Sequence, residues 1–516
     1  MRIFFRTDAS TVIGTGHVAR CLTLARRLRA DGAWCGFVCR EHAGNLIDYI
    51  RQQGFEATGL PLAAPSPGTS NSWDDYQAWF GDDWRNDADA TITAIGSEPA
   101  EWIVADHYAI DFRWEQRLRP HCRRLMVIDD LANRGHDCDL LLDQNAVTEA
   151  SARYSGMVSG ACLMLLGPRF ALLQPQYKDL RAAIRPRSSS ACRLLIFFGG
   201  ADATNLTGLA VSAFLELGRP GLVADVVVDP SHPYLRDLEE LARGKKQINM
   251  HGRLPTLAPL MMAADMAIGA CGATSWERCC LGLPALVVTL AGNQEPIAEE
   301  LQRLGVIRWV GTKEQVSEEA LGQALEEVLA EGDLSAWSRR CLDLVDGWGA
   351  ERVTETLLIS AGPQLHARPA ELGDEELLLH WANDSLVRRN AFSPETISSE
   401  KHHYWFQERL ADDGCRIYIL QTPLGLPVGQ VRFQRDERDW VITYSIDAAL
   451  RRRGMGVSLV QGAMSAFAAD VGDVPVLARV KTENQASLKV FAALGFTPIA
   501  TDVTADFQQF RHGGGA

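Results

Sequence analysis

The sequence lacks the features that usually identify membrane-spanning, secreted and disulfide-stapled proteins. No apolar run is as long as the roughly eighteen residues that a transmembrane helix needs, and the mean hydropathy is −0.08. The first residues show neither the long apolar stretch nor the small-residue cleavage site of a signal peptide. The 12 cysteines include no CxxC spacing, so we expect buried, reduced thiols. Together these absences predict a cytoplasmic protein.

An excess of positive charge is also missing. Lys and Arg total 51 against 65 Asp and Glu, which gives a net charge of −14. This acidity argues against a nucleic-acid partner and against binding to anionic membranes. Hydrophobic residues make up 47% and charged residues 22% of the chain, as in ordinary packed proteins. A length of 516 residues suggests about three globular domains.

The pattern of apolar segments divides the chain into three parts. Short apolar strands alternate with helical segments through residues 1–184 and again through 185–362. This alternation predicts two mostly parallel α/β sheets, each covered on both faces, and therefore two Rossmann-like lobes. Ligands of such sheets lie beyond the carboxyl ends of the strands. Residues 363–516 instead contain the antiparallel-looking strands CRIYILQT, LPVGQVRFQ and WVITYSID, which predict an α+β domain.

The first glycine motif, IGTGHVAR, lies between the first strand and the first helix. Gly14 and Gly16 would let the backbone approach a ligand, and the helix start would offer N–H groups to an anion. His17 stands beside these N–H groups, which disfavour its protonated form, so it could act as a proton acceptor. A plain βα turn with a packed histidine would have the same residues, and both interpretations stay open here.

Two further motifs lie in the second lobe. FFGGADATN contains Gly199 and Gly200, whose backbone amides could cradle a diphosphate, while the polar residues after them could equally form a turn and a helix cap. ACGATSWERCC combines a small-residue loop with a helix that carries Glu277. The loop suits phosphate oxygens, and the carboxylate suits the vicinal hydroxyls of a ribose.

These three motifs together resemble the glycosyltransferase-B (GT-B) family of nucleotide-sugar enzymes. The resemblance is more specific for the UDP-sugar hydrolase branch of the pseudaminic acid pathway, over about residues 1 to 360. It rests on FRTDAS, IGTGHVARCLTLA, VADHYAID, VIDDLANRGHDCDLLLDQN and GNQ, which follow one another in this order. The resemblance implies metal-independent hydrolysis of UDP-2,4-diacetamido-2,4,6-trideoxy-β-L-altropyranose at C1, with inversion and release of UDP.

The same resemblance implies roles for individual residues. His17 matches the catalytic histidine that positions or deprotonates the attacking water, and Asp8 would orient that water. The remaining residues would contact the sugar or UDP: Asp106, His107, Tyr108, Thr274, Ser275, Glu277, Asn293 and Gln294. Two alternatives stay open, namely a structural ion pair at His107 and a purely turn-forming role for the Asn–Gln pair.

The third part of the chain carries a glycine motif of another kind. Arg451, Gly454 and Gly456 form an R-x-x-G-x-G turn between a strand and a helix, and successive N–H groups in such a turn can hold a pyrophosphate. With Asn484 and Ser487 in VKTENQASLKVFAALGF, this order of elements resembles the GNAT acetyltransferase superfamily over about residues 365 to 505. The resemblance implies acetyl-CoA as cofactor. LLLHWANDSLVRRNAFS is similar to the sugar-nucleotide 4-amine acetyltransferase of the same pathway.

One position departs from that family. Many GNAT enzymes have a tyrosine that protonates the departing CoA thiolate, and the matching residue here is Phe491, which has no proton to give. Either Tyr444 or a water takes this role, or the acetyltransferase is slow or inactive.

Acetylation of the 4-amine would produce the compound that the hydrolase consumes, so the sequence predicts a bifunctional enzyme with a UDP-sugar substrate. Three alternatives stay open: a glycosyltransferase that needs an acceptor, a hydrolysing 2-epimerase, and a nucleotide-sugar-binding regulator without activity. The sequence does not predict the oligomeric state.

Overall fold

The computed structural model describes residues 1–63, 76–148, 150–187, 191–199, 202–359, 364–437, 439–451, 453–499 and 506–513. The chain divides into two compact units, Met1–Thr354 and Glu355–Ala516. The first unit contains both predicted lobes, and its end lies a few residues before the predicted boundary at 362. Within the described ranges, no helix is both long and apolar enough to span a bilayer.

The first lobe is built on a parallel sheet of seven strands in the order β3-β2-β1-β4-β5-β6-β7. Its strands are β1 (Arg2–Thr7), β2 (Trp34–Arg40), β3 (Glu56–Leu60), β4 (Ala100–Asp106), β5 (Cys122–Ile128), β6 (Leu140–Asp143) and β7 (Leu163–Leu166). Its helices are α1 (Gly16–Ala30), α2 (Ile47–Gln52), α3 (Trp84–Ile95), α4 (Phe112–Leu118) and α5 (Ala150–Arg153). The next helix, α6 (Pro175–Arg181), packs its Tyr177 into the core of the second lobe. The central strands are buried almost throughout because helices cover the sheet on both faces.

The loop between β1 and α1 brings the start of α1 to the carboxyl edge of this sheet. Ser10 Oγ accepts hydrogen bonds from the N–H groups of Val12 and Ile13, at 3.1 and 2.8 Å. Gly14 has φ +79°, a left-handed conformation that glycine adopts without strain. The loop is therefore held by its own residues, and it fixes the position of His17 near the start of α1.

The second lobe repeats this plan with six parallel strands in the order β10-β9-β8-β11-β12-β13. The strands are β8 (Arg193–Phe197), β9 (Val223–Val227), β10 (Ile248–His251), β11 (Met266–Ala270), β12 (Ala285–Thr289) and β13 (Arg308–Thr312). The helices are α7 (Leu206–Glu216), α8 (Leu235–Ala242), α9 (Ala258–Ala263), α10 (Thr274–Cys280), α11 (Glu295–Arg303), α12 (Glu318–Glu331) and α13 (Ser335–Leu344). The next helix, α14 (Gly349–Leu358), contains the end of the first unit at Thr354. Apolar residues of β8, β11 and β12 form the core on both faces of the sheet.

The second unit has a mixed sheet in the order β14-β15-β16-β17-β18-β20-β19. The strands are β14 (His366–Pro369), β15 (Cys415–Gln421), β16 (Pro427–Asp436), β17 (Asp439–Ile446), β18 (Val476–Lys481), β19 (Thr497–Ile499) and β20 (Phe507–His512). The helices are α15 (Glu375–Ala382), α16 (Ser385–Asn390), α17 (Ser399–Ala411), α18 (Gly456–Val471) and α19 (Gln485–Ala493). The prediction of two Rossmann-like α/β lobes followed by an α+β domain is confirmed.

The parallel pair of β17 and β18 separates partway along its length. The two strands are paired only from Trp440 opposite Val476 to Ile442 opposite Ala478. Beyond this point β17 stays on β16 and β18 stays on β20. The sheet therefore opens between the two strands at the end where α18 begins.

Candidate active sites

His17 and Asp106 form a hydrogen-bonded pair at the carboxyl edge of the first sheet. Asp106 is the last residue of β4, His17 is the second residue of α1, and Nδ1 of His17 lies 2.6 Å from Oδ1 of Asp106. Because an ionised carboxylate only accepts, this contact places the hydrogen on Nδ1 and the lone pair on Nε2. An imidazole held in this way can accept a proton from water and is stabilised as it becomes positive.

Arg20 holds the carboxylate of this pair with two hydrogen bonds. Its Nε lies 2.7 Å from Oδ2 of Asp106 and its Nη2 lies 2.6 Å from Oδ1. Asp106 is fully buried, and burial alone would raise its pKa, but Arg20 and His17 hold the pKa of Asp106 well below its usual range. The carboxylate is therefore ionised at neutral pH. Sequence reasoning missed Arg20, although its spacing of three from His17 on α1 places both side chains on one helix face.

Aromatic rings surround this pair on one side. The ring of Tyr108 packs edge-on against His17, with centroids 4.7 Å apart, and Trp79 and Tyr76 pack on Tyr108 at 5.8 and 4.9 Å. Burial, together with the nearby carboxylate of Asp130, raises the pKa of Tyr108, so its hydroxyl stays protonated. An aromatic surface of this kind suits the C–H face of a sugar.

Asp8 belongs to a second buried network. Its Oδ1 accepts from Nη1 of Arg6 and from the backbone N–H of Arg40, both at 2.6 Å. Its Oδ2 lies 3.3 Å from Nε2 of His107, and burial lowers the pKa of His107 to about 3. The oxygens of Asp8 thus face groups other than His17, and the role of Asp8 in orienting water stays a prediction. The contact with His107 fits the structural alternative.

In the second lobe, Arg278 holds the small-residue loop that precedes α10. Its Nη2 donates to the carbonyl of Ala270 at 2.8 Å and to Oγ of Ser275 at 2.9 Å. Ser275 is buried, and Thr274 is the first residue of α10. The predicted UDP contacts of Thr274 and Ser275 therefore lie in a loop whose shape is fixed by a buried guanidinium, and they stay predictions.

Glu277, the residue predicted to bind ribose, is half-buried on α10. Burial raises the pKa of Glu277 to about 7, and the neighbouring hydroxyl of Tyr177 opposes that rise. Glu277 therefore changes its protonation state close to neutral pH. As a carboxylate it has the acceptor oxygens that two neighbouring hydroxyls require.

The predicted glycines occupy the two βα turns. Gly14 and Gly199 have φ of +79° and +95°, which makes glycine the natural residue at both positions. Gly16 is the first residue of α1. Gly200 lies outside the described residues. The two turns thus have the backbone form that the sequence predicts, and their contacts with a phosphate stay predictions.

The GNQ motif forms a short 3-10 turn, Gly292–Gln294, directly before α11. Oε1 of Gln294 accepts from the N–H of Leu290 at 2.9 Å, so this side chain shapes the turn. Asn293 stands in the middle of the turn. The turn follows the carboxyl end of β12, where a ligand of the sheet would lie, and the predicted contact of Asn293 and Gln294 with substrate stays a prediction.

In the second unit, the R-x-x-G-x-G motif forms the turn before α18. Gly454 has φ +72°, and a Cβ on Gly456 would lie 2.8 Å from the side chain of Val490 on α19. Glycine is thus required for the close approach of α18 and α19. Nε of Arg451 donates to the carbonyl of Ile446 at 3.0 Å, and its Nη2 lies 2.8 Å from Oδ1 of Asp384. Arg451 therefore contributes its backbone, rather than its guanidinium, to the turn.

The start of α19 lies beside this turn. The side chain of Asn484 accepts from the N–H of Ser487 and caps α19. Oγ of Ser487 lies 3.0 Å from the hydroxyl of Tyr444 on β17. A glycine turn at the start of a 16-residue helix, next to two separating strands, fits a cofactor with a pyrophosphate and a long thioester arm. Acetyl-CoA is such a cofactor.

Comparisons with known proteins find matches to both units of the chain. Residues 364–497 match the family model of the acetyltransferase (GNAT) domain. The UDP-2,4-diacetamido-2,4,6-trideoxy-β-L-altropyranose hydrolase of Campylobacter jejuni is 25% identical over 305 residues, 59% of this chain and 97% of that protein. An uncharacterized protein of Methanocaldococcus jannaschii is 22% identical over 516 residues, 96% of each chain. The spore coat polysaccharide biosynthesis protein SpsG of Bacillus subtilis is 27% identical over 209 residues, 39% of this chain and 59% of that one.

The match to the GNAT model lies within the second unit, which carries the glycine turn of α18. A GNAT domain implies binding of acetyl-CoA. The match to the Campylobacter protein accounts for nearly the whole length of that relative. The chain is therefore a fusion of a part homologous to the UDP-2,4-diacetamido-2,4,6-trideoxy-β-L-altropyranose hydrolase with a C-terminal domain of the GNAT acetyltransferase family.

Proposed function

We propose that the first unit hydrolyses UDP-2,4-diacetamido-2,4,6-trideoxy-β-L-altropyranose at C1 with inversion, in pseudaminic acid biosynthesis. We further propose that the GNAT domain acetylates the 4-amine of the precursor sugar nucleotide. The observation that carries the hydrolase is the contact of 2.6 Å between His17 and Asp106, which presents Nε2 of a histidine as a base. The name of the Campylobacter relative supports the choice of substrate.

In the proposed hydrolysis, Nε2 of His17 takes a proton from a water while the oxygen of that water attacks C1. The bond from C1 to the diphosphate oxygen breaks, and its electron pair leaves with UDP. A single displacement from the opposite face inverts C1. The imidazolium that forms shares its Nδ1 hydrogen with Asp106, and Arg20 keeps Asp106 from taking that proton.

The other residues bind the two halves of the substrate. The aromatic rings at Tyr108 pack on the sugar, and the glycine turns of the two lobes approach the diphosphate. Glu277 accepts hydrogen bonds from the ribose hydroxyls. Binding that orients water and substrate supplies much of the rate enhancement in such a displacement, so the protein needs little beyond a placed base and a stabilised leaving group.

In the second unit, the backbone around Gly454 and Gly456 holds the pyrophosphate of acetyl-CoA, and Asn484 and Ser487 line the neighbouring cleft. Acetyl-CoA supplies the activated acetyl group when it is bound. The acetylated product has the 4-acetamido group that the hydrolase substrate carries. The two activities are thus consecutive steps on one chain.

The decisive experiment follows the purified chain and the UDP-sugar by time-resolved NMR, without acetyl-CoA, metal or acceptor. We expect UDP and the free α-anomer to appear together. His17→Ala should slow UDP release about 10³-fold, the middle of the range for a lost general base. His121→Ala is the matched control, because His121 lies just before β5 at the opposite edge of the sheet.

Other outcomes identify the alternatives. Full UDP release by the His17→Ala protein contradicts the mechanism. UDP release only in the presence of an acceptor indicates a glycosyltransferase, and a product altered at C2 indicates a hydrolysing epimerase. Tight binding of UDP with no turnover indicates a regulator. The 4-amino precursor with acetyl-CoA is the next substrate, and its 4-acetamido product is the expected result.

A further inference from the structure

Acetyl transfer to an amine leaves a thiolate that must gain a proton, and this inference rests on the proposed acetyltransferase function. Phe491 on α19 matches the position of the tyrosine that supplies this proton in many GNAT enzymes. It is 2% exposed and has no proton to donate. Its ring packs edge-on against Tyr444, with centroids 5.7 Å apart, and against Phe496 at 4.9 Å. Phe491 thus forms an apolar wall beside a tyrosine of the neighbouring strand.

Tyr444 has the position that a proton donor requires. It lies on β17 two residues beyond Ile442, the last residue paired with β18, so it stands where the sheet opens. Ile446, two residues further along β17, is 3.8 Å from a Cβ built on Gly456, the first residue of α18. Along β17, Tyr444 therefore lies between the point where the strands separate and the residue that approaches the glycine turn.

The hydroxyl of Tyr444 also lies beside a second hydroxyl, which has an exchangeable proton. It lies 3.0 Å from Oγ of Ser487, and the N–H of Ser487 is held by the side chain of Asn484. Burial raises the pKa of Tyr444, so the phenol remains protonated at neutral pH. A hydroxyl beside a protonated phenol can pass a proton to it after the phenol has lost its own.

The other tyrosines of the second unit are placed differently. The hydroxyl of Tyr418 on β15 lies 3.2 Å from Oδ2 of Asp470, near the C-terminal end of α18, whereas the glycine turn is at its N-terminal end. Tyr404 lies on α17 and is 67% exposed. Of the three tyrosines after residue 355, all within the described residues, Tyr444 alone stands at the opening between β17 and β18.

We propose that Tyr444 is the general acid of the acetyl transfer and that Ser487 returns its proton. The amine nitrogen forms a bond to the acetyl carbon, the carbon–sulfur bond breaks, and the electron pair leaves on sulfur. Tyr444 gives its hydroxyl proton to that sulfur. The nitrogen loses one proton to solvent, and Tyr444 regains one from solvent through the hydroxyl of Ser487. The general acid of this chain would thus lie on β17, whereas the tyrosine of many GNAT enzymes matches a position on α19.

The test compares the full-length protein with Tyr444→Phe and with the control Tyr418→Phe. We expect Tyr444→Phe to lower kcat for acetylation about 100-fold, with the Kd for CoA within about threefold of that of the parent protein. Phe491→Tyr added to Tyr444→Phe should restore at least a tenth of the lost rate, because it returns a phenol to the same cleft. Tyr418→Phe should leave both values unchanged.

A second measurement does not depend on turnover. The thiol of CoA bound to the protein is titrated by the ultraviolet absorbance of its thiolate. A phenol that donates to sulfur favours the thiolate, so Tyr444→Phe should raise the pKa of the bound thiol by about one unit. Tyr418→Phe should not change it.

The proposal is overturned if Tyr444→Phe keeps kcat within twofold and the bound thiol titrates as in the parent protein. Phe491→Tyr alone provides a test if Tyr444→Phe does not fold: a gain of tenfold or more would show that the parent lacks a general acid. If the parent protein binds CoA but acetylates nothing, the proposed function fails, and the thiol titration still decides whether Tyr444 contacts sulfur.

Discussion

Each lobe of the first unit has a carboxylate that we propose to be part of the substrate site, Asp106 in the first lobe and Glu277 in the second, and the partners of the two carboxylates differ. Asp106 accepts from the guanidinium of Arg20 and from Nδ1 of His17 and has a pKa well below its usual range. Burial raises the pKa of Glu277 to about 7, and the neutral hydroxyl of Tyr177 beside it only partly opposes that rise. Burial acts in the same direction on both groups, so the neighbours decide the sign of the shift. A permanent anion suits the support of a base, and an anion that titrates near neutrality suits a contact made only with ligand.

The largest effect should come from removing the charge of Asp106 while keeping its shape. Asp106→Asn would lower kcat for UDP release about 10³- to 10⁴-fold, because an amide can donate to Nδ1 and stabilise the wrong tautomer of His17. KM should change little. Steady-state kinetics of UDP release provide the measurement, and Asp89→Asn is the control, since the carboxylate of Asp89 is half exposed and pairs with Arg117. Equal loss in both variants would contradict the role of Asp106.

The fold could be predicted largely because the central strands are continuous apolar runs. RIFFRT of β1 and LLIF within β8 are buried almost throughout, and only the interior of a sheet requires that pattern. The strands β3, EATGL, and β13, RWVGT, have no such run, because both lie at sheet edges and are largely half-buried or exposed. An edge strand is defined by its pairing, which local sequence does not encode strongly.

The site was only partly predictable for a related reason. His17 and Asp106 stood out because a helix start and a strand end lie at the ligand edge of a parallel sheet. Their mutual contact depends on how α1 packs on β4, so the sequence alone assigned Asp8 to orienting the water and Asp106 to the sugar. In the second unit, the backbone of the glycine turn was foreseeable, but the contact of Arg451 with Asp384 arises from tertiary packing.

The comparison predicts that Asp106 without Arg20 should behave more like Glu277. Arg20→Ala removes one partner of a buried ion pair and should lower the free energy of unfolding of the first unit by about 3 kcal/mol at pH 8. The loss should be smaller at pH 5. Without Arg20 the pKa of Asp106 in the folded protein rises above that in the unfolded chain, and a raised carboxyl pKa costs stability as pH increases.

Urea unfolding of Arg20→Ala at the two pH values measures this effect. The control is Arg27→Ala, which breaks an exposed pair with Asp31 on the same helix and should cost under about 0.5 kcal/mol at either pH. A loss of unfolding free energy that is equal at pH 5 and pH 8 would mean that Arg20 stabilises the fold through packing. The pKa of Asp106 would then not depend on the charge of Arg20.

The smallest effect concerns Glu277 and the affinity for UDP. Since its pKa is raised to about 7, protonation below that pH removes the anionic acceptor, and the Kd for UDP should rise by up to about tenfold between pH 8 and pH 6. Glu277→Gln keeps an acceptor oxygen but does not titrate, so its Kd should be higher at pH 8 and less dependent on pH. Calorimetric titration of both proteins with UDP also separates this effect from the ionisation of UDP itself, which is common to the two. If the pH dependence of Glu277→Gln matches that of the parent protein, the ribose contact is not made by a titrating Glu277, and the contrast with Asp106 then reflects only the packing of α10 against Tyr177.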